Sequence, residues 1–462
     1  MSFMFLKTSK YLKLSTLLLY FLFFLLFFLQ LPLKEKLPGN CDTWLALTYS
    51  SYSFESARSY ISGEKKFHPM YPVENPLVYG ESAPGLQVPI IILKSFGLSD
   101  HWAYYLFISL IFALTAFGIF VFSGNFVSSI GARMFAGFVF TVNNMSLAHI
   151  DDPIIIFFFL PAVSLHFLLK YFNDRNIKHL VFAAVSAGLQ IYFSFYLFFY
   201  LALMIFVFYL FCIFRNNSGQ TRLIRSMLIF AVISGAVSMP HLLFHMNTLY
   251  KLEFVEIFEP LYTAKMASLN LIDLFLVLPG NLLYPDLGKI LKIPMNWGFV
   301  RHYNFTGLLI FFLFSYSLFK WNRHRILFGS LAFTGIFFAM GPVFMFNFQE
   351  VFHSPLYVFY KFFPMLAFLR VAVRAHFIFL FAVSVSAAIS AEKIVSEKKY
   401  HNLIFASFFI FHFFESVPFP LKGFDASSAQ PVPMIYQAVN INKSDAVIAV
   451  LPSRMDVEYL NW

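Results

Sequence analysis

Three clusters of ionisable residues in this chain of 462 residues could do chemistry. Asp42 stands in Gly39-Asn40-Cys41-Asp42-Thr43-Trp44, just ahead of a stretch with helical patterning. A carboxylate there can act as a general base or ligate a divalent cation such as Mg or Mn. It can equally be an acid at a helix N-terminus, favoured by the macrodipole, with Asn40 or Asp42 as the cap. The second cluster, His149-Ile150-Asp151-Asp152-Pro153, sets two carboxylates and an imidazole in a short link between two apolar runs. Ionisable groups held at membrane depth are expensive and are functional candidates. Capping by Asp152 ahead of Pro153, a favoured first helical residue, explains one of the two aspartates and leaves the other. The third cluster is Phe368-Leu369-Arg370-Val371-Ala372-Val373-Arg374, beside Lys361 and Pro364. Two arginines spaced i, i+4 share one helical face, and a guanidinium binds phosphate oxygens in pairs. Snorkelling to lipid headgroups accounts for one arginine more readily than for two. Glu81, His302, Lys65 and Lys66 complete the candidates, each more ordinary by itself as a solvated loop residue. No phosphate-binding glycine loop, HExxH, nucleophile elbow or cysteine cluster accompanies them.

The elements that must position these groups are apolar. Hydrophobic residues make up 59% of the chain and charged residues 12%, with a mean hydropathy of +0.72. A surface in water carries roughly a quarter charged residues, so a soluble enzyme, a disordered scaffold and a secreted disulfide domain are excluded. The expectation is a polytopic membrane protein. The net charge, 33 − 23 = +10, then reads as a topology signal and not as a nucleic-acid footprint. The two cysteines, Cys41 and Cys212, belong to segments at different depths and are not expected to pair.

Runs of roughly 17–25 apolar residues cross a bilayer as helices. Such runs lie near 12–32, 102–122, 131–147, 153–171, 179–194, 195–214, 227–245, 304–320, 326–343, 374–391 and 402–416. That is about eleven spans, the third and last being short, with a tight turn required near Ser194. The first run follows Lys7, Lys10 and Lys13 and lacks a small-residue cleavage site after it, as in a retained signal anchor. Alternate loops carry Arg133; Lys170, Arg175 and Lys178; Arg215, Arg222 and Arg225; Lys320, Arg323 and Arg325; and Lys393, Lys398 and Lys399. The short links on the other face, around 148–152 and 193–196, hold no Lys or Arg. By the positive-inside rule the N-terminus is cytoplasmic, and the long loops 33–101, 246–303 and 344–373 lie outside with the tail 417–462. In the first outer loop, Leu45, Tyr49, Tyr52 and Tyr60 form one face of an interfacial helix. A proline-rich passage and a second short helix, from about Gly85 to Phe96, follow it.

In order along the chain, several segments resemble the GT-C superfamily of polytopic glycosyltransferases, and within it bacterial relatives of the dolichyl- and polyprenyl-phosphate-mannose mannosyltransferases. Gly39–Trp44 is similar to the opening of their first outer loop. Phe67-His68-Pro69 to Tyr71-Pro72, Asn75-Pro76-Leu77 and Tyr79-Gly80-Glu81-Ser82 resemble their Pro-Tyr-Pro…Asn-x-Leu…Ser-Glu stretch. Ala148-His149 resembles their His-x-x-His segment, and Ser354-Pro355-Leu356 through Arg374 their Pro-x-x-Arg-x-x-x-Arg-Phe block. The chain departs from the pattern at Asn40, which leaves no complete Asp-x-Asp. It departs again at Asp152, in place of the second histidine, and at Arg301-His302, where a glutamate is expected.

The resemblance implies an all-α GT-C-like domain over 1–416 and a short extracytoplasmic tail, 417–462, truncated relative to the larger outer domain of relatives. The implied protein sits in a bacterial inner membrane among lipids. It moves a sugar from a polyprenyl-phosphate donor to a glycan, lipid or protein acceptor. Asp42 is the implied base. Arg370 and Arg374, with Lys361, are implied to hold the donor phosphate. His149, Asp151, Asp152, Glu81 and His302 are implied to hold the acceptor or a divalent cation. Two other classes stay open: an inactive accessory or assembly subunit, and a transporter or flippase for a lipid-linked substrate. An enzyme requires Asp42, the 149–152 link and the arginines to converge.

Overall fold

The computed structural model describes residues 10–34, 36–38, 83–215, 220–249, 260–284, 303–320, 324–346, 349–362, 369, 371–395, 400–421 and 423–425. Each apolar run is helical: α1 (Lys10–Phe28), α2 (Asp100–Ser123), α3 (Ile130–Thr141), α4 (Phe159–Asp174), α5 (Ile177–Leu189), α6 (Phe195–Arg215), α7 (Gln220–Leu249), α8 (Leu308–Phe319), α9 (Arg325–Ala339), α10 (His376–Val395) and α11 (His401–Ser416). Among the described residues, six helical stretches are long and apolar enough to cross a membrane: Tyr11–Lys34, Asp100–Ser123, Pro153–Asp174, Phe195–Phe214, Thr221–Leu243 and Ala372–Val395. Five apolar helices are shorter: Ile130–Thr141, Ile177–Tyr192, Leu308–Phe319, Arg325–Ala339 and Asn402–Ser416. The chain is a multi-pass helical membrane protein.

Burial separates centre from rim. Within the apolar window of Ala372–Val395, 83% is buried in the protein, against 28% for Tyr11–Lys34 and for Thr221–Leu243. The central α10 meets α9 so closely that a Cβ at Gly335 would lie 2.4 Å from the Phe379 backbone nitrogen. Small residues at such crossings let helix backbones touch where lipid offers no hydrophobic drive.

Three runs break inside their expected limits, and side chains explain each break. The third stops at Thr141 and not near 147. Asn143 donates to the Phe140 carbonyl (2.6 Å) at the end of α3 and accepts the Ser146 N–H (2.9 Å), capping a new turn, Asn144–Ala148. The fourth run is a single turn, Pro153–Ile156, and restarts at Phe159. Pro161 has no N–H and its ring excludes a helical carbonyl four residues back, so it fits only the first turn of α4. Thr115 on α2 closes the gap: its hydroxyl donates to Ile156 O and accepts from Phe158 N, both at 3.1 Å. The ninth run ends at Ala339, ahead of Gly341 (φ +60) and Pro342. The turn expected near Ser194 is present, with the Ser194 hydroxyl accepting the Leu197 N–H at 3.2 Å.

Among the described residues, two small antiparallel sheets join helix ends. β1 (Lys36–Pro38), after α1, pairs with β4 (Gly423–Asp425), after α11; β2 (Val343–Phe346) pairs with β3 (Gln349–His353). The helix Pro84–Ser95 matches the expected second helix of the first outer loop. The expected helix around 45–60 and most of the tail 417–462 lie outside the described residues.

Candidate functional site

The 149–152 link crosses the end of the bundle between the turn Asn144–Ala148 and the turn Pro153–Ile156. Asp151 has no exposed surface, and His149 and Asp152 are buried. The Tyr104 hydroxyl donates to the Ile150 carbonyl at 3.1 Å and ties the link to α2. His149 Nδ1 lies 2.9 Å from the Met145 carbonyl. A carbonyl only accepts, so Nδ1 carries the proton, and in the neutral ring Nε2 is the basic nitrogen.

Arg374 comes to this link from the far side of the sequence. Its Nη2 donates to Asp152 Oδ2 at 2.7 Å, and the two side chains are 14% and 10% exposed. Its guanidinium lies over the Tyr196 ring, 4.5 Å from the centroid. A planar cation pressed on an aromatic face and bonded to a carboxylate is fixed in orientation. Asp152 occupies the N-cap position before Pro153, yet its side chain makes no cap bond. The capping explanation therefore fails for Asp152, whose carboxylate goes to the arginine.

The basic block is not the continuous helix that the i, i+4 spacing suggests. Val371 has φ −102 and ψ 75, a 3-10 turn covers Ala372–Ala375, and α10 begins at His376. The helical face expected for the arginine pair cannot be drawn through Arg370, which lies outside the described residues. The turn is held from below, with Val373 N donating to Ala267 O at 2.9 Å. Lys361 is exposed near the end of the helix Leu356–Phe362. On the same helix the Tyr360 hydroxyl donates to the Leu369 carbonyl at 2.9 Å. Burial, with the Tyr196 phenol nearby, pushes the Tyr360 hydroxyl up from its ordinary pKa, so it stays a donor.

Of the residues singled out in the sequence, His149, Asp151, Asp152 and Arg374 gather at one end of the bundle. Asp42, Glu81, His302 and Arg370 lie outside the described residues. Among the described residues, no three His, Cys, Asp or Glu side chains group to hold a metal ion. Sequence reasoning passed over Tyr196 and Tyr360. Tyr196 stood only as a tyrosine among phenylalanines at the start of an apolar run, and Tyr360 as one among aromatics in an outer loop. No protein-family profile matches the chain, and no curated protein matches it significantly.

Proposed function

We propose that the protein is a GT-C-type membrane glycosyltransferase with about eleven transmembrane helices. It would lie in a bacterial inner membrane with its N-terminus in the cytoplasm and its site on the outer face. One observation carries the reading: the acidic link and the basic turn, 222 residues apart, meet through Asp152 and Arg374 at the end of the bundle. The order of the outer-loop motifs along the chain supports the same family.

In this reading a polyprenyl-phosphate sugar enters from the bilayer. Arg374, oriented by Asp152 and Tyr196, meets the donor phosphate together with Arg370 and Lys361. A guanidinium has five N–H donors and can hold a carboxylate and a phosphate oxygen at once. Asp42 takes the proton from the acceptor hydroxyl, whose oxygen forms the new bond to the anomeric carbon with inversion. The bond to the phosphate oxygen breaks, and the departing phosphate keeps the electron pair beside the cationic groups. His149 and Asp151, with Glu81 and His302, orient the acceptor.

One observation favours a second reading. Asp152 already balances the Arg374 charge, as in a structural ion pair, and the chain would then be an inactive accessory subunit. Transfer assays on purified protein with a polyprenyl-phosphate sugar separate the two. Asp42→Asn is expected to abolish transfer while leaving membrane insertion intact. Retained transfer removes the base assignment. Unchanged lipid-linked and surface glycans in cells lacking the protein would favour the accessory role.

A further inference from the structure

Between α9 and the Arg374 turn, several large apolar side chains of the described residues are exposed. Val343 and Met345 of β2 are buried, and all five residues of β3 are exposed. Phe346, Val351 and Phe352 on the hairpin are 53%, 57% and 54% exposed, and Val358, Phe359 and Phe362 on the following helix are 54%, 50% and 67% exposed. Phe344 stacks on Phe352 across the strands, with centroids 4.8 Å apart and planes within 8°. At 3.6 residues per turn, Val358, Phe359 and Phe362 fall within an arc of about 100°. Leu356 and Tyr360 point the other way, toward the protein. The helix thus turns large apolar side chains outward, where a helix lying against water carries polar ones.

Polar ties fix this unit to the bundle. Glu350 accepts from Lys265 Nζ at 3.2 Å and lies 3.0 Å from His353 Nε2. The His353 ring stacks on Tyr357 with centroids 4.0 Å apart. The Tyr360 bond to Leu369 links the inner side of the helix to the segment leading to Arg374.

We infer that the paired strands β2 and β3 and the helix Leu356–Phe362 lie in the interface of the outer bilayer leaflet, with lipid as the occupant of their apolar face. Two observations choose lipid. The face continues from α9 across only Met340-Gly341-Pro342, and α9 itself turns Phe333, 70% exposed, outward from the bundle. Lys361, exposed, borders the apolar arc, as ammonium groups do where they reach lipid phosphates from a buried stem. An apolar patch of this extent left in water would promote association. The helix thereby separates lipid on its outer side from Tyr360 and the Arg374 turn on its inner side. The inference rests on the membrane character of the chain and, for the choice of leaflet, on the proposed cytoplasmic N-terminus; it stands apart from the glycosyltransferase activity.

Depth-resolved quenching tests it. Phe352→Cys and Phe359→Cys are introduced singly, with Cys41→Ser and Cys212→Ser, labelled with bimane and reconstituted in phosphatidylcholine–phosphatidylglycerol vesicles. Phe362→Cys serves if either fails to fold. Lys178→Cys is the water-facing reference and Phe312→Cys the reference in mid-span. The expected result is loss of fluorescence with nitroxide lipids labelled near the headgroup, exceeding the loss with mid-chain nitroxides or with iodide. Quenching by iodide alone, as at Lys178→Cys, would place the face in water and overturn the inference. Protection from both quenchers would mean protein covers it, and would overturn the inference as well. Failure of mid-chain quenching at Phe312→Cys would instead strike at the membrane reading itself, and transfer activity enters none of these readouts.

Discussion

Asp152 and Arg374 form an ion pair largely removed from solvent, their side chains 10% and 14% exposed. Removing one partner from such a pair typically costs about 3–5 kcal/mol, because the remaining charge keeps its desolvation penalty. Asp152→Asn and Arg374→Met are each expected to destabilise the protein by about 3 kcal/mol, and the double variant by less than their sum. Denaturant unfolding of the four proteins in micelles measures the coupling. Additive losses would mean the 2.7 Å contact does not couple the residues. Glu415 shows the contrasting case of a carboxylate used for architecture. It accepts the Leu308 N–H at 2.9 Å and the Leu309 N–H at 3.2 Å, capping α8 from the end of α11. The Tyr284 hydroxyl donates to it at 3.1 Å. Burial and the Glu415 carboxylate push the Tyr284 phenol up to about 12, so this donor persists well above neutral pH. Glu415 carried no sequence signal beyond a lone acid at the end of an apolar run, and a carboxylate that caps another helix cannot be told from a solvated one without the fold. The same limit hid Tyr196, whose role depends on a guanidinium 178 residues away.

At the scale of elements, the apolar runs were legible because hydropathy alone decides which segments a bilayer accepts. Their interruptions were harder, since Asn143 and Pro161 sit inside runs apolar enough to average them away. The break between Ile156 and Phe159 needs a partner on another helix, and Thr115 supplies it from α2. Thr115→Val keeps the shape but leaves a buried N–H and a buried carbonyl without that hydroxyl, each worth about 1–3 kcal/mol. A fall in Tm is expected for Thr115→Val, with Thr115→Ser close to the parent. Equal Tm values for all three would show that the break does not rely on the hydroxyl. Because the Pro153–Ile156 turn follows Asp152 directly, the Thr115→Val variant is also expected to loosen the Asp152–Arg374 contact. Spacing says where residues fall on a helix only if the backbone is helical there, and Val371, just ahead of the Arg374 turn, is not helical.

Over the whole molecule, contacts between helix ends gather loops into two sets. At one end Glu392 Oε1 accepts the Ser128 N–H at 2.7 Å, and Phe126 packs edge-on against His324. These segments adjoin Arg133, Lys320, Arg323, Arg325 and Lys393 in sequence. At the other end β1 pairs with β4, Gln30 accepts the Leu421 N–H, Asn144 bonds to Phe305 and Leu278, and Arg374 meets Asp152. Loop charge is a property of each loop's own lysines and arginines. It could not show which residues touch, because contacts between segments hundreds of residues apart depend on helix packing. If the basic end faces the cytoplasm, as the positive-inside rule requires, the exposed Lys178 and Leu283 lie on opposite sides of the membrane. In intact cells whose outer barrier admits the reagent, Leu283→Cys is expected to react with a membrane-impermeant maleimide. Lys178→Cys should react only after the inner membrane is opened. The reverse pattern would put the Asp152–Arg374 site in the cytoplasm, beyond the reach of a donor presented on the outer leaflet. Labelling of both in intact cells would mean the two ends are not separated by a bilayer, and the multi-pass arrangement would have to be redrawn.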